Sequence, residues 1–324
     1  VDNHSPIFVT GMPRSGTTLL ASLLNAHSQV AITPETDYFN RVWKPLARRG
    51  GLQNWPFVEE VLQSFFSKPS VKLMELPEED LIARFHEKWQ QGILTHADML
   101  SEMLSLYARR RQKAVWGEKT PDHFMYVPVI KQVFPASRVV VIVRDPRDVH
   151  LSLEKLPWSR GNSLNHALQW RGYQSLARAY CLKYGFEFVQ IRYEDLIADP
   201  EATLRYLCEK LELPFEPEML NRYGQELLFD PNREPWKLGA ARTIDPNNRN
   251  KWRQRMPAAE VALFSKICGK YLRKLHYDAP DPAPTMPGPI FPGLEWRSVI
   301  WWMRTNWRVK HGREPWMGQR ISLK

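Results

Sequence analysis

Within eight residues, Gly11-Met-Pro-Arg-Ser-Gly-Thr-Thr18 brings together three hydroxyls, one guanidinium and two glycines. Glycines let backbone N–H groups turn inward. Where such a loop opens a helix, those N–H groups and the positive helix end converge on one anion. The spacing G-x4-G-T-T is that of a Walker A loop, except that Thr17 stands where the lysine after the second glycine belongs. The basic residue sits inside the loop instead, at Arg14. Three further cations fall where strand-like runs stop: Lys119 in Gly117-Glu-Lys-Thr-Pro121, Arg144 in Arg144-Asp-Pro-Arg-Asp148, and Arg192 in Arg192-Tyr-Glu-Asp-Leu196. Ser152 follows Arg144 by eight residues and adds a hydroxyl. This much positive charge exceeds the need of a single phosphate. It suits a ligand with anionic groups at two ends.

The elements that must position these groups alternate between strand and helix. Ile7–Thr10 reads as a buried strand, and the loop then runs into a helix carrying Leu19, Leu20, Leu23 and Leu24. Val30–Thr33, bounded by Pro34, is a second strand, and Ala114–Glu118 a third. Arg138-Val-Val-Val-Ile-Val-Arg144 has five consecutive β-branched residues, the pattern of a strand buried on both faces of a parallel sheet. Phe186–Arg192 is the fifth. Helices are expected over about 122–134, 145–156, 165–184 and 200–211. A last one, over 257–275, places Val261, Phe264, Ile267, Cys268, Tyr271 and Leu275 on one stripe. The order predicts an α/β chain, a P-loop-like three-layer fold with a central parallel sheet flanked by helices. Ligands of such sheets bind beyond the carboxyl ends of the strands, which is where the loop and the strand-end cations fall.

On these motifs the chain resembles the sulfotransferases that use 3′-phosphoadenosine 5′-phosphosulfate (PAPS), and within them the bacterial and tyrosylprotein-type branch. Gly11–Thr18 is similar to the family's 5′-phosphosulfate loop, and Arg144-Asp-Pro-Arg-Asp-Val-His-Leu-Ser152 to its 3′-phosphate motif. The resemblance implies that Arg14, Ser15, Gly16, Thr17 and Thr18 hold the 5′-phosphosulfate. Arg144 and Ser152 would hold the 3′-phosphate, with Arg147 and Tyr193 as neighbours. Asn250-Lys-Trp-Arg253 looks like the segment that closes over the nucleotide, with Arg249, Lys251 and Trp252 as its candidates. Glu35, in Pro34-Glu-Thr36, matches the branch's general base, and a carboxylate there would take the acceptor hydroxyl's proton. Its structural alternative is a carboxylate that merely sits at a helix N-terminus. Lys119 matches the lysine at the bridging oxygen, a role Arg14 would share, and His123 is the other candidate base. The resemblance implies PAPS as donor, PAP as product, a hydroxyl acceptor and no metal. Carbohydrates or small metabolites rank ahead of peptide tyrosine. The cysteines of the tyrosylprotein branch are missing beside these strands. The competing reading is a nucleotide kinase or NTPase with a degenerate Walker loop. It requires a lysine after Gly16 and a Mg²⁺-binding Asp at a strand end; Thr17 and Arg144 occupy those places.

The totals fit this reading without selecting it. The chain has 324 residues, 43% hydrophobic and 25% charged, with a net charge of +10. Those values exclude wholesale disorder and favour acidic ligands. Three scattered cysteines indicate neither a zinc site nor a disulfide framework. One domain is expected over 1–279, with a helical insertion at 37–111 on the acceptor side. A proline-rich linker follows at 280–293 and a Trp/Arg-rich tail at 294–324. The tail's stripe of Trp296, Val299, Ile300, Met303 and Trp307 fits a membrane surface, a second copy of the chain (a homodimer) or the main domain. The expected setting is cytoplasmic, at most peripheral to a membrane, with no nucleic-acid partner.

Overall fold

The computed structural model describes residues 5–157, 159, 161–221, 227–241 and 244–279. The linker and tail predicted for 280–324 lie outside the described residues.

Five strands form one parallel sheet in the order β2-β3-β1-β4-β5. They are β1 (Ile7–Thr10), β2 (Val30–Thr33), β3 (Val115–Lys119), β4 (Arg138–Val143) and β5 (Phe188–Arg192). The alternating pleat sends neighbouring residues of one strand into two different cores. Phe8, Val139 and Val141 face one layer, while Ile7, Val9, Val140 and Ile142 face the other. The first layer holds the helices between β2 and β3, including Trp55–Phe66, Glu78–Gln90 and His96–Arg110, together with Ser163–Tyr184 and Ala258–Lys274. The second holds Thr17–Asn25 and Pro200–Leu211. This is the three-layer α/β arrangement expected from the strand–helix alternation.

Three boundaries differ from the sequence reading. β3 begins and ends one residue later than expected, so Lys119 is its last residue, in register with Val9 of β1. The helix expected over 122–134 splits into a 3-10 segment, Pro121–Tyr126, and an α-helix, Val127–Val133. The second piece starts with Pro128 in its first turn, where proline's missing N–H costs nothing. β5 starts at Phe188 rather than Phe186, because Gly185–Glu187 forms a 3-10 turn. Among the described residues, no helix is long and apolar enough to cross a membrane.

Candidate active site

The central strand β1 runs directly into the glycine loop, which puts the loop at the carboxyl edge between β3 and β4. Three residues turn it: Gly11 at φ 147°, Arg14 at φ 72° and Gly16 at φ 104°. Gly16 is also the cap of the Thr17–Asn25 helix. No side chain fits there, since a Cβ on Gly16 would come within 2.5 Å of the Tyr193 ring. The Ser15 hydroxyl is buried without a hydrogen-bond partner among the described residues. The first N–H groups of the helix have no intrahelical acceptors, so the loop offers several donors to an anion.

Arg14 leaves this loop in the direction of the second motif. Its Nε donates to Ser152 Oγ at 3.0 Å and a terminal nitrogen to the Trp236 carbonyl at 3.0 Å. Burial lowers the guanidinium's pKa first, and the nearby Arg144 charge lowers it further. Arg144, at the end of β4, donates to the carbonyls of Asn248 (2.9 Å) and Arg14 (3.4 Å) and lies 4.4 Å over the Tyr193 ring. Its Nε is buried without a partner among the described residues. The Tyr193 hydroxyl accepts from Asn248 Nδ2 at 2.7 Å. Arg14, Arg144, Ser152 and Tyr193 therefore form one connected cluster.

A cavity of about 250 Å³ opens on the other side of Arg14, lined in part by Thr17, Thr18, Glu35, Trp236 and Lys237. Glu35 enters it two residues past β2. Its backbone carbonyl is clamped by Lys68 Nζ (3.0 Å) and Ser70 Oγ (2.6 Å). A single carboxylate oxygen, Oε1, accepts from Lys119 Nζ at 2.6 Å and from Lys237 Nζ at 2.7 Å. Burial pushes the Glu35 carboxyl up, but the two ammonium groups outweigh it and bring its pKa down to about 2. Lys119 is fully buried, its Nζ also 3.4 Å from the Thr18 hydroxyl. Burial lowers its pKa, opposed by the charge of Glu35. The lining also carries Asp37 and Asp122, with Glu234 at the start of the Pro235–Lys237 turn. Desolvation, then the negative charges of Asp37 and Glu35, raise the Asp122 carboxyl.

Several predicted residues are placed elsewhere. His123 is fully buried and outside the cavity lining, with Nδ1 2.8 Å from Glu118 Oε2 and Nε2 facing the Phe39 N–H at 3.4 Å. Both ring nitrogens are thus occupied within the core, which takes His123 away from a base role. Arg192 pairs with Asp195 (3.0 Å) and stacks over Tyr277, so it does not join the cluster. Arg147 is buried in a two-point pair with Asp145 and lies 3.5 Å over the Trp252 ring. Trp252 therefore packs inward, its backbone N–H donating to Asp148 Oδ1 at 3.0 Å. Lys251 lies within the field of Arg144 and Asp148, its pKa lowered by burial and then by Arg144. Arg249 is exposed.

The sequence reading missed Lys237, Glu234 and Trp236, which belong to the segment containing the Pro235–Lys237 turn. Only the Pro-Trp pair punctuates that stretch, and no periodicity points to the cavity. It also missed the Glu118 network. That fully buried carboxylate accepts from the Thr36 backbone N–H (3.2 Å), the Thr36 hydroxyl (2.8 Å), the Thr120 hydroxyl (2.5 Å) and His123. It thereby fixes the residues next to Glu35 and next to Lys119. Among the described residues, no group of three or more His, Cys, Asp or Glu could hold a metal ion.

Comparison with known proteins bears on the same span. A model of the sulfotransferase family matches residues 6–217. Protein-tyrosine sulfotransferase A of Caenorhabditis elegans is 24% identical over 288 residues, covering 84% of this chain and 67% of that protein. An uncharacterized protein of Aquifex aeolicus is 26% identical over 232 residues, 67% of this chain, which spans only 27% of that longer protein. The sulfotransferase domain of the Synechococcus PCC 7002 olefin synthase superposes with a TM-score of 0.59 at 23% identity, covering 86% of this chain and 98% of that domain, a likeness of fold.

Proposed function

Because the chain belongs to the sulfotransferase family, we propose that it transfers the sulfuryl group of PAPS to a hydroxyl of a carbohydrate or small metabolite. The observation that carries this reading is the contact of Glu35 Oε1 with Lys119 Nζ, 2.6 Å, beside Thr17 and Thr18 of the anion loop. When bound, PAPS supplies an activated sulfur. A new S–O bond forms to the acceptor oxygen, and the bond to the bridging oxygen breaks with its electron pair remaining on the 5′-phosphate of PAP. Glu35 takes the acceptor's proton. Lys119, already within reach of the Thr18 hydroxyl, neutralises charge on the leaving phosphate, and Arg14 assists. The orphaned Ser15 hydroxyl and Arg144 Nε are buried donors that fit anionic oxygens at the two ends of such a donor. Arg144 and Ser152, with Tyr193 beneath Arg144, would hold the 3′-phosphate end. The cations of this chain supply the neutralisation, so the reading requires no metal.

The choice of acceptor class is supported by the cavity lining. Asp37, Asp122 and Glu234 stand in the lining beside Arg14, Lys68 and Lys237, a mixed polar wall that suits a hydroxyl-bearing molecule; Trp236 adds an aromatic side chain, and the cavity's size suits a sugar. The relatives named as protein-tyrosine sulfotransferases support a second reading, a tyrosyl hydroxyl.

Two measurements test the proposal. PAP should stabilise the protein against heat far more than ATP with Mg²⁺ does; the reverse ranking overturns the donor assignment. Labelled PAPS, offered with pools of glycans, metabolites and tyrosyl peptides, should label the first two. Glu35→Gln should abolish transfer while leaving PAP binding within about threefold, and Lys119→Ala should abolish transfer and weaken PAP binding as well.

A further inference from the structure

Glu35 Oε1 carries two ammonium groups, and their other contacts differ. Lys119 Nζ also touches a neutral hydroxyl, Thr18 Oγ1 at 3.4 Å, which belongs to the anion loop. Lys237 Nζ touches a second carboxylate, Glu234 Oε1 at 2.5 Å, one turn back on its own segment. The Lys237 side chain is only 8% exposed. Its segment is fastened again by the Trp236 carbonyl, which accepts from Arg14. An anion arriving on the loop therefore competes for Lys119, which beyond its shared contact with Glu35 has only a hydroxyl to leave behind. Lys237 is held from both sides.

We propose that Lys237 is the positioning residue for the base: it stays on Glu35 throughout turnover and keeps that carboxylate aimed and ionised, while Lys119 moves to the donor. This rests on the reading of Glu35 as the base. The division resolves a difficulty in the resting site. A carboxylate holding two ammonium groups is a poor proton acceptor, and loss of Lys119 to the donor leaves it with one. The remaining contact fixes Oε1, so the other oxygen, Oε2, is the one left for the acceptor's proton. The charged groups around Glu35 are Arg14 on the loop, Asp37 two residues on, Lys68 after the Trp55–Phe66 helix, Lys119 on β3, Asp122 after it, and Glu234 and Lys237 at the Pro235–Lys237 turn. Of these, only Lys119 and Lys237 touch its carboxylate among the described residues.

The test reads the Glu35 carboxyl directly and needs no acceptor. Protein labelled with ¹³C-carboxyl glutamate is titrated in acid by infrared spectroscopy, with Glu35→Gln as the blank. Losing a contacting opposite charge should raise the Glu35 midpoint by about 1–3 pH units in Lys237→Met. Lys237→Arg should restore most of the wild-type position. Glu234→Gln releases Lys237 from its competing carboxylate and should move the midpoint the opposite way. General loosening of the fold would not give shifts of opposite sign, and if Lys237→Met fails to fold, the Arg and Gln variants still decide. PAP affinity, measured by calorimetry, should change less than about threefold in all three. A Glu35 midpoint equal to wild type in Lys237→Met or in Glu234→Gln, or one in Lys237→Arg displaced as far as in Lys237→Met, overturns the inference. So does a loss of PAP affinity beyond tenfold, which would place Lys237 on the nucleotide. Undiminished transfer by Glu35→Gln would instead sink the base assignment itself, a separate failure.

Discussion

Replacing Gly16 with Ala is the sharpest probe of how the anion loop is built. The residue sits at φ 104° and ψ 15°, a conformation that costs an L-residue about 1–3 kcal/mol. The new methyl would lie 2.5 Å from Tyr193 Cδ2, 3.0 Å from Cε2 and 3.3 Å from Ile142 Cδ1. Tyr193 cannot easily withdraw, because Arg144 covers its ring at 4.4 Å and Asn248 holds its hydroxyl at 2.7 Å. Forcing an extra carbon into such packing costs about 1–3 kcal/mol more. The sum, about 2–6 kcal/mol, should appear in urea unfolding as a lower midpoint at unchanged slope. PAP affinity should fall by at least about tenfold, or 1.4 kcal/mol, because pushing Tyr193 also moves Arg144. The steric share is separable. In a Tyr193→Ala background the ring clash is gone and the backbone strain and the 3.3 Å Ile142 contact remain, so the double mutant should be less than additive by about 1–3 kcal/mol. Strict additivity would show that Tyr193 does not confine the loop. A Gly16→Ala protein within 0.5 kcal/mol of wild type with unchanged PAP affinity would refute the whole construction.

Two further outcomes follow from the same contacts. Arg144→Lys loses the planar group that covers Tyr193 and forks between the Asn248 and Arg14 carbonyls, so PAP affinity measured by calorimetry should drop at least about tenfold. Burial raises the Glu118 carboxyl, but His123 and the threonine hydroxyls bring it below the ordinary range. The stability it supplies is therefore present above about pH 4.3 and lost as pH falls through its lower folded value. Glu118→Gln should cost about 1–3 kcal/mol at pH 7, and its urea midpoint should fall less than that of wild type when the pH is lowered below 4. Parallel acid profiles would disprove the assignment.

The parts of the fold visible in the sequence were those set by local pattern. Val139 to Val143 announced a doubly buried strand, and Gly11, Gly16 and the following leucines announced a strand–loop–helix. The departures have tertiary causes. β3 ends at Lys119 because Lys119 pairs in register with Val9, which β3's own composition does not record. His123 carries a base's chemistry, yet Glu118 claims one ring nitrogen and the Phe39 N–H faces the other. Arg192 is drawn off by Asp195, three residues ahead of it in the same motif that pointed to it. Lys237 is 202 residues from Glu35 and lies in a stretch without periodicity, so its contact is a product of closure alone.

The family match ends at residue 217, and the wall of the cavity does not. Arg14, Glu35, Lys119, Arg144, Ser152 and Tyr193 lie inside the matched span, on the loop, just at or past strand ends, or, for Ser152, on the helix that follows β4. Glu234, Trp236, Lys237, Asn248 and Trp252 lie beyond it. Each tie from this outer set lands on the motif residues or a neighbour of one: Trp236 on Arg14, Lys237 on Glu35, Asn248 on Arg144 and Tyr193, Trp252 on Asp148. The sheet can therefore set where the donor lies with little regard to the acceptor. In the proposed function, the residues beyond the match fasten to the donor's anchors and complete the space offered to the acceptor. In this arrangement a change of acceptor needs no change in the sheet. It needs a different segment beyond the match that keeps the same handholds.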